Sequence, residues 1–239
     1  MRARIRFAKL GKVRFTSHRD VARIWERALR RAEVPVAYSE GFSPRPRLSF
    51  GLALSTGHES LGEYLDVDLV PTWDGEAGSL PEVLAPCLPA GFVAEAAAPL
   101  APGATSLQQD VTACTWEIGL AGLPVDAVEG AVVAALAAGH LETTRTRKGV
   151  EHHDDVRSAI RHLEVVGPGD GVVTVRGELA TQPRGLRPSE LVAACFAGAE
   201  ERRVLRTHQW IERDGARWEP LPLPAAAGAP VRARGDAEP

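Results

Sequence analysis

The chain of 239 residues suffices for one large domain or two ordinary ones, and 44% hydrophobic residues can form a buried core. No apolar run approaches the roughly 20 residues that span a bilayer, and none follows the basic N-terminus, so we expect a cytoplasmic protein without a membrane partner. The widely separated Cys87, Cys114 and Cys195 argue against a disulfide framework, a zinc ribbon and a self-contained iron–sulfur site.

Charge is segregated along the chain, although the net charge is only −3. Residues 1–50 contain thirteen Lys/Arg against four Asp/Glu, whereas residues 51–110 contain nine Asp/Glu and no Lys/Arg. Such segregation concerns partners, or contact between segments, rather than fold. Nearly all the basic residues are arginines, which favours bidentate recognition of phosphate or carboxylate; genomic codon bias is an equal alternative.

The first hundred residues predict the element order β-α-β-β-α-β. Residues 2–8 alternate basic and apolar side chains, as in a half-buried strand, and residues 13–15 continue the alternation after a turn. Ser17 and Asp20 form a capping pattern before a helix that Pro35 ends. Strands follow at 48–54 and 64–69, then a short helix at 79–88 and a strand at 91–98.

The helix after Ser17 is strongly amphipathic. Its apolar stripe comprises Val21, Ile24, Trp25, Ala28, Leu29 and Ala32. Its opposite side carries Arg19, Arg23, Arg27, Arg30 and Arg31. Glu26 is placed to pair with Arg30.

The same order returns after a predicted linker at 101–111. The second half comprises strands at 115–120, 141–147, 172–175 and 203–212, helices at 125–138 and 187–197, and a short helix or irregular segment at 155–163. The fold class is therefore α+β, with two ferredoxin-like (split βαβ) halves in tandem at 1–100 and 112–220. Residues 221–239 are rich in Pro, Ala and Gly and are expected to form a disordered tail.

Two clusters contain catalytic or metal-binding residue types. Ser17-His18-Arg19-Asp20 resembles a nucleophile set, but neighbours at a helix start do not converge, so a capped first turn is favoured. His18 is still a candidate ligand contact, because anions bind at helix N-termini. His152-His153-Asp154-Asp155 alternates between strand faces without a distal ligand, so no metal and no cofactor are predicted.

The basic N-terminal residues are the main candidate binding surface, with aromatic rings that can stack on bases. The candidates here are Arg4, Arg6, Lys12, His18, Arg19, Arg23, Arg27, Arg30, Phe42, Arg45 and Arg47. A second basic cluster comprises Arg145, Arg147 and Lys148. Three interpretations stay open: nucleic-acid binding, docking on an acidic surface (a partner's or residues 59–95 of this chain), and simple solvation.

A family resemblance adds to this interpretation. The segments 15–20 (FTSHRD), 26–32 (ERALRRA) and 35–46 (PVAYSEGFSPRP) resemble the radical-SAM-linked protein family, a domain of unknown function found beside or fused to B12-binding radical SAM proteins. The match is dense over residues 1–70 and looser around 146–157 and 187–190. It implies an accessory role with a B12-binding radical SAM protein as partner, and it supplies no catalytic residues.

These observations favour an adaptor that binds RNA through its arginine-rich N-terminal surface and presents it to a separate radical SAM enzyme. One alternative is a purely protein-binding subunit of that enzyme. Another is a metal-independent ribonuclease, by fold-level analogy with CRISPR repeat-cleaving proteins, for which His18 and Tyr38 are the only plausible acid–base pair.

Overall fold

The computed structural model describes residues 1–73, 75–147 and 149–221, without the side chains of 145–147 and 150. The predicted tail from residue 222 onward lies outside the described residues. The fold is α+β, as predicted. None of the described helices combines the length and the apolar character needed to cross a bilayer.

The first half contains four strands and two helices. These are β1 (Arg2–Lys9), α1 (His18–Arg31), β2 (Leu48–Phe50), β3 (Glu59–Asp68), α2 (Leu80–Leu84) and β4 (Phe92–Pro99). The strands lie in the order β4-β1-β3-β2, all antiparallel. Residues 13–15, predicted as strand, belong instead to a 3₁₀ helix at Gly11–Phe15.

The short helix α3 (Leu107–Asp110) connects to the second half, which repeats the arrangement. Its elements are β5 (Val111–Ala121), α4 (Val125–Ala137), β6 (Glu142–Arg147), β7 (Val150–Asp155), β8 (Ile160–Gly169), β9 (Val172–Ala180), α5 (Pro188–Cys195), β10 (Glu200–Arg213) and β11 (Ala216–Trp218). The order β10-β5-β9-β8 matches that of the first half, and both are compatible with ferredoxin-like halves. The hairpin β6–β7 is a separate two-stranded sheet.

One sheet crosses both halves. β3 and β10 pair in parallel at Glu59–Leu205 and Ser60–Arg206 and join the two sets of strands. A core beneath α1 and α2 centres on Phe7, Trp25 and Leu65, all at most 1% exposed. The second core, beneath α4 and α5, extends to residues of the first half. The division into two domains at 101–111 stays a prediction, and one continuous sheet spans it.

Burial controls the reactivity of two of the three thiols. It raises the pKa of Cys114 and that of Cys195 to about 11, from an ordinary 9.0. The thiolate form of cysteine is the nucleophile. We therefore expect iodoacetamide at pH 8 to label the half-buried Cys87 before Cys114 or Cys195. Mass spectrometry of the partly alkylated protein would measure the order of labelling. Labelling of Cys114 first would contradict this order.

The same burial makes the stability of the fold depend on pH. Because the folded-state pKa of Cys114 and Cys195 is raised, these thiols stabilise the fold below pH 9, and their contribution is lost as the pH rises towards 11.

Candidate nucleic-acid interface

The arginines of β1 are not part of a water-facing basic surface. Arg4 is 5% exposed, and its Nε and Nη2 donate to the two carboxylate oxygens of Asp66 at 2.7 and 3.0 Å. Asp66 lies directly opposite Arg4 on β3, so the strand register creates this bidentate pair. The prediction of an exposed side chain is wrong for Arg4.

Arg6 is corrected for the same reason. It is 3% exposed, and its guanidinium pairs with Glu95 on β4 and with Glu219 near the end of the described chain. It also donates to the Tyr64 hydroxyl at 3.1 Å. The alternation in sequence predicts that the basic face of β1 meets water. Carboxylates of the neighbouring strands and of the C-terminal segment cover this face instead.

The acidic residues within 59–95 pair with some of the N-terminal arginines and not with others. Asp66 and Asp68 both contact Arg2, and Asp68 also contacts the exposed Arg47 at 3.0 Å. For Arg4, Arg6 and Arg47, docking on residues 59–95 of the same chain is confirmed. These acids do not extend to α1.

The arginine side of α1 has a different environment. Ser17 caps the helix by accepting from the Asp20 amide at 3.2 Å, as predicted. A hydrogen bond from the Ser17 hydroxyl lowers the pKa of the Asp20 carboxyl, and Arg23 contributes a bond at 3.2 Å. The predicted pair between Glu26 and Arg30 does not form among the described side chains.

Four arginines of α1 are exposed and, in the described part of the chain, have no carboxylate within 4.0 Å. They are Arg19, Arg27, Arg30 and Arg31. We call them the α1 arginine face. A 14-residue helix is about 21 Å long, so these charges are distributed over most of its length. An uncompensated row of guanidinium groups is suited to a polyanion.

The loop between α1 and β2 adds an exposed aromatic ring and a further cation. Phe42 is fully exposed, Tyr38 is 51% exposed, and Tyr38 forms a backbone bridge with Pro46. Arg45 is exposed, and its amide donates to the Ser39 hydroxyl at 3.0 Å, which holds the loop in shape. Lys12 is exposed on the 3₁₀ helix at Gly11–Phe15.

His18 and Tyr38 do not form an acid–base pair in the described structure. His18 is the first residue of α1, and its ring contacts the edge of Phe50 with centroids 5.5 Å apart. Neither a hydrogen bond nor a ring contact joins His18 to Tyr38 among the described residues. The geometry supplies no catalytic pair at these positions.

The second basic cluster falls only in part within the described residues. Arg145 and Arg147 belong to β6, but their side chains and all of Lys148 lie outside the described residues. On the same hairpin, the His153 ring nitrogen contacts Glu142 at 2.7 Å. No group of three metal-ligand types occurs within the described ranges.

Sequence reasoning missed a buried ion pair at the junction of the two halves. Arg206 is 1% exposed, and its Nε and Nη2 donate to Glu63 at 3.0 and 2.5 Å. Nearby, Lys9 is 2% exposed and donates to the carbonyls of Arg14 and Thr16, and burial lowers its pKa. Glu63 and Arg206 are 143 positions apart in the sequence, so no local pattern signals this pair.

Three solved structures are similar in fold. "Crystal Structure of a Cbf5-Nop10-Gar1 Complex" has a TM-score of 0.50 at 10% identity, over 87% of this chain and 48% of that chain. "Structure of H/ACA RNP bound to a substrate RNA containing 2'-deoxyuridine" has a TM-score of 0.47, and "Crystal structure of the archaeal box H/ACA sRNP Nop10-Cbf5 complex" one of 0.46. Each is 10% identical, over 87% of this chain and 47% of the other. The chain spans about half the length of the chains it matches. At 10% identity, the likeness to the first of them shows a shared fold alone.

Sequence comparison defines the relationship more closely. No curated protein matches the chain. A family model matches residues 2–188, which include α1, the loop after it and the sheet up to the start of α5. Because the match extends over more than half of the residues, the chain belongs to the family described as "Uncharacterized protein conserved in bacteria (DUF2344)".

Proposed function

We propose that this protein is a non-catalytic adaptor that binds RNA through the α1 arginine face and presents it to a separate radical SAM enzyme. The observation that carries the RNA part is the row of exposed guanidinium groups on α1 without carboxylate partners in the described chain. Guanidinium groups that neutralise the phosphates of a bound RNA release the counterions condensed on its backbone, which favours binding at low salt. The resemblance to the radical-SAM-linked family supports the enzyme partner.

The loop at 38–47 supports recognition of unpaired bases. Phe42 is fully exposed, and Arg45 lies three residues away with its guanidinium outside any ion pair of the described chain. An exposed ring beside a cation is typical of single-strand binding, because every base offers a face for stacking. The proposal assigns no cleavage step to His18.

The salt dependence of binding tests this proposal. We expect single-stranded RNA to bind the nuclease-treated protein with a log–log salt slope on the order of −3, from about 0.7 per neutralised phosphate. Fluorescence anisotropy at several salt concentrations would measure the slope, with a polyglutamate of equal length as the matched polyanion. An absent or salt-independent affinity would contradict RNA binding. A radical SAM protein that co-purifies after nuclease treatment would then favour the protein-binding alternative.

A further inference from the structure

A cavity of about 500 Å³ lies between the last two turns of α1 and the turn at 86–89. Arginines line it on the α1 side: Arg27, Arg30 and Arg31. Aliphatic and proline side chains form the remaining wall, principally Ile24, Pro86, Leu88 and Pro89. Its size lies within the range of pockets that bind small organic ligands, about 300–1,000 Å³.

The cavity is strongly cationic and contains no compensating acid. None of its lining residues is Asp or Glu. Arg27 Nε donates to the Arg23 carbonyl at 3.2 Å, and Arg30 and Arg31 make no ion pair among the described side chains. The favourable interaction of cations with the C-terminal end of the helix dipole accounts for the arginines in the last turn. It does not account for Arg27, one turn earlier, or for the apolar wall opposite.

The apolar wall is rigid and already formed. Leu88 and Ile24 pack against the core beneath α1, which holds them in place. Pro86 and Pro89 each have a fixed φ, so the turn loses little conformational freedom when a ligand binds. A rigid apolar wall of this kind offers a surface on which a planar ring can pack.

We propose that this cavity binds one phosphorylated nucleotide unit, with the phosphate among Arg27, Arg30 and Arg31 and the base on the wall formed by Ile24 and Leu88. The inference rests on the proposed function, since the unit it names is a nucleotide of the bound RNA. Guanidinium groups bind phosphate oxygens bidentately. Three of them match the charge of a phosphate group, which is larger than the charge of a single carboxylate. The apolar wall contacts the base, and inorganic phosphate alone makes no such contact.

Calorimetric titration of the full chain with AMP, CMP, GMP and UMP tests the assignment. Adenosine and inorganic phosphate are the matched probes. We expect each to bind at least about tenfold more weakly than AMP, since adenosine lacks the phosphate and inorganic phosphate lacks the base. AMP is also expected to protect Cys87, which lines the cavity, from alkylation.

Two exposed arginines supply a matched pair of variants. Arg30→Gln removes one charge inside the cavity and should weaken AMP binding about tenfold, because a charged hydrogen bond is removed. Arg202→Gln removes the same charge at a side chain that pairs with Glu200 outside the cavity, and it should leave AMP affinity unchanged. Leu88→Trp fills the apolar side and should abolish the preference for AMP over phosphate without changing net charge.

The outcomes separate the two proposals. RNA binding without mononucleotide binding, or equal effects of Arg202→Gln and Arg30→Gln on AMP, overturns the cavity assignment and leaves RNA binding in place. Mononucleotide binding with the expected variant pattern, but without affinity for RNA, supports the cavity and overturns the RNA adaptor. Alkylation of Cys87 that continues at saturating AMP also overturns the assignment.

Discussion

Replacing Glu63 with Gln is expected to lower the free energy of unfolding by about 3–5 kcal/mol, because it leaves the Arg206 guanidinium buried without its counter-charge. The remaining partners of Arg206 are the Leu52 carbonyl at 2.8 Å, the ring of Trp116, whose centroid lies 5.2 Å away, and the thiol of Cys114. None of them supplies negative charge at neutral pH, because burial raises the pKa of Cys114 to about 11. Denaturant unfolding followed by circular dichroism measures the effect.

An exposed pair and a double variant control this prediction. Glu200 and Arg202 are 2.7 Å apart with side chains 68% and 61% exposed, so Glu200→Gln should cost less than about 1 kcal/mol. The double variant Glu63→Leu plus Arg206→Met removes both buried charges and should recover most of the stability. A destabilisation below about 1 kcal/mol for Glu63→Gln would show that water reaches this junction.

The local patterns of α1 were sufficient to predict it. Its apolar stripe places Val21, Trp25, Ala28 and Leu29 in the core, and the structure buries all four. Ser17 caps the helix through the Asp20 amide, because capping depends on residues only three apart. The element order of the first half was accessible for the same reason, since hydrophobic periodicity and turn residues are local signals. In the second half the same signals missed β7 and β8. The prediction of a short helix or irregular segment at 155–163 is wrong where β8 begins at Ile160, and it holds only for the 3₁₀ helix at Arg157–Ala159.

The environment of the β1 arginines could not be predicted from the same kind of pattern. Alternation distinguishes two faces of a strand, but it does not show whether the polar face meets water or carboxylates. Arg4 meets Asp66, 62 residues away, and Arg6 meets Glu219, 213 residues away. The only signal was the excess of acids after residue 50, which indicates compensation without naming the partners.

The candidate site follows from this difference between the two groups of arginines. Those of β1 lie at positions where the sheet places carboxylates opposite them, and desolvation favours their pairing within the fold. Those of α1 lie on a solvated helix face, where no neighbouring element supplies an acid within the described chain. Only the second group keeps its charge available for an external anion.

Replacing the α1 arginine face, Arg19, Arg27, Arg30 and Arg31, with Gln is therefore expected to raise the Kd for single-stranded RNA on the order of 100-fold at 0.1 M salt. The salt slope should flatten by about 0.7 for each phosphate that the variant no longer neutralises. Glutamine is a good helix former, so the helix should persist. Anisotropy measures the Kd, and circular dichroism checks the helix.

The matched control removes four arginines that are paired with acids elsewhere in the chain. These are Arg161, Arg202, Arg213 and Arg217, whose partners are Glu212, Glu200, Asp110 and Glu178. Their replacement with Gln changes net charge by the same amount, so any effect of overall charge on RNA affinity is equal in both variants. A decrease in affinity specific to α1 then locates the phosphate-binding groups on that helix, whereas equal decreases would mean that its exposed arginines act only through net charge.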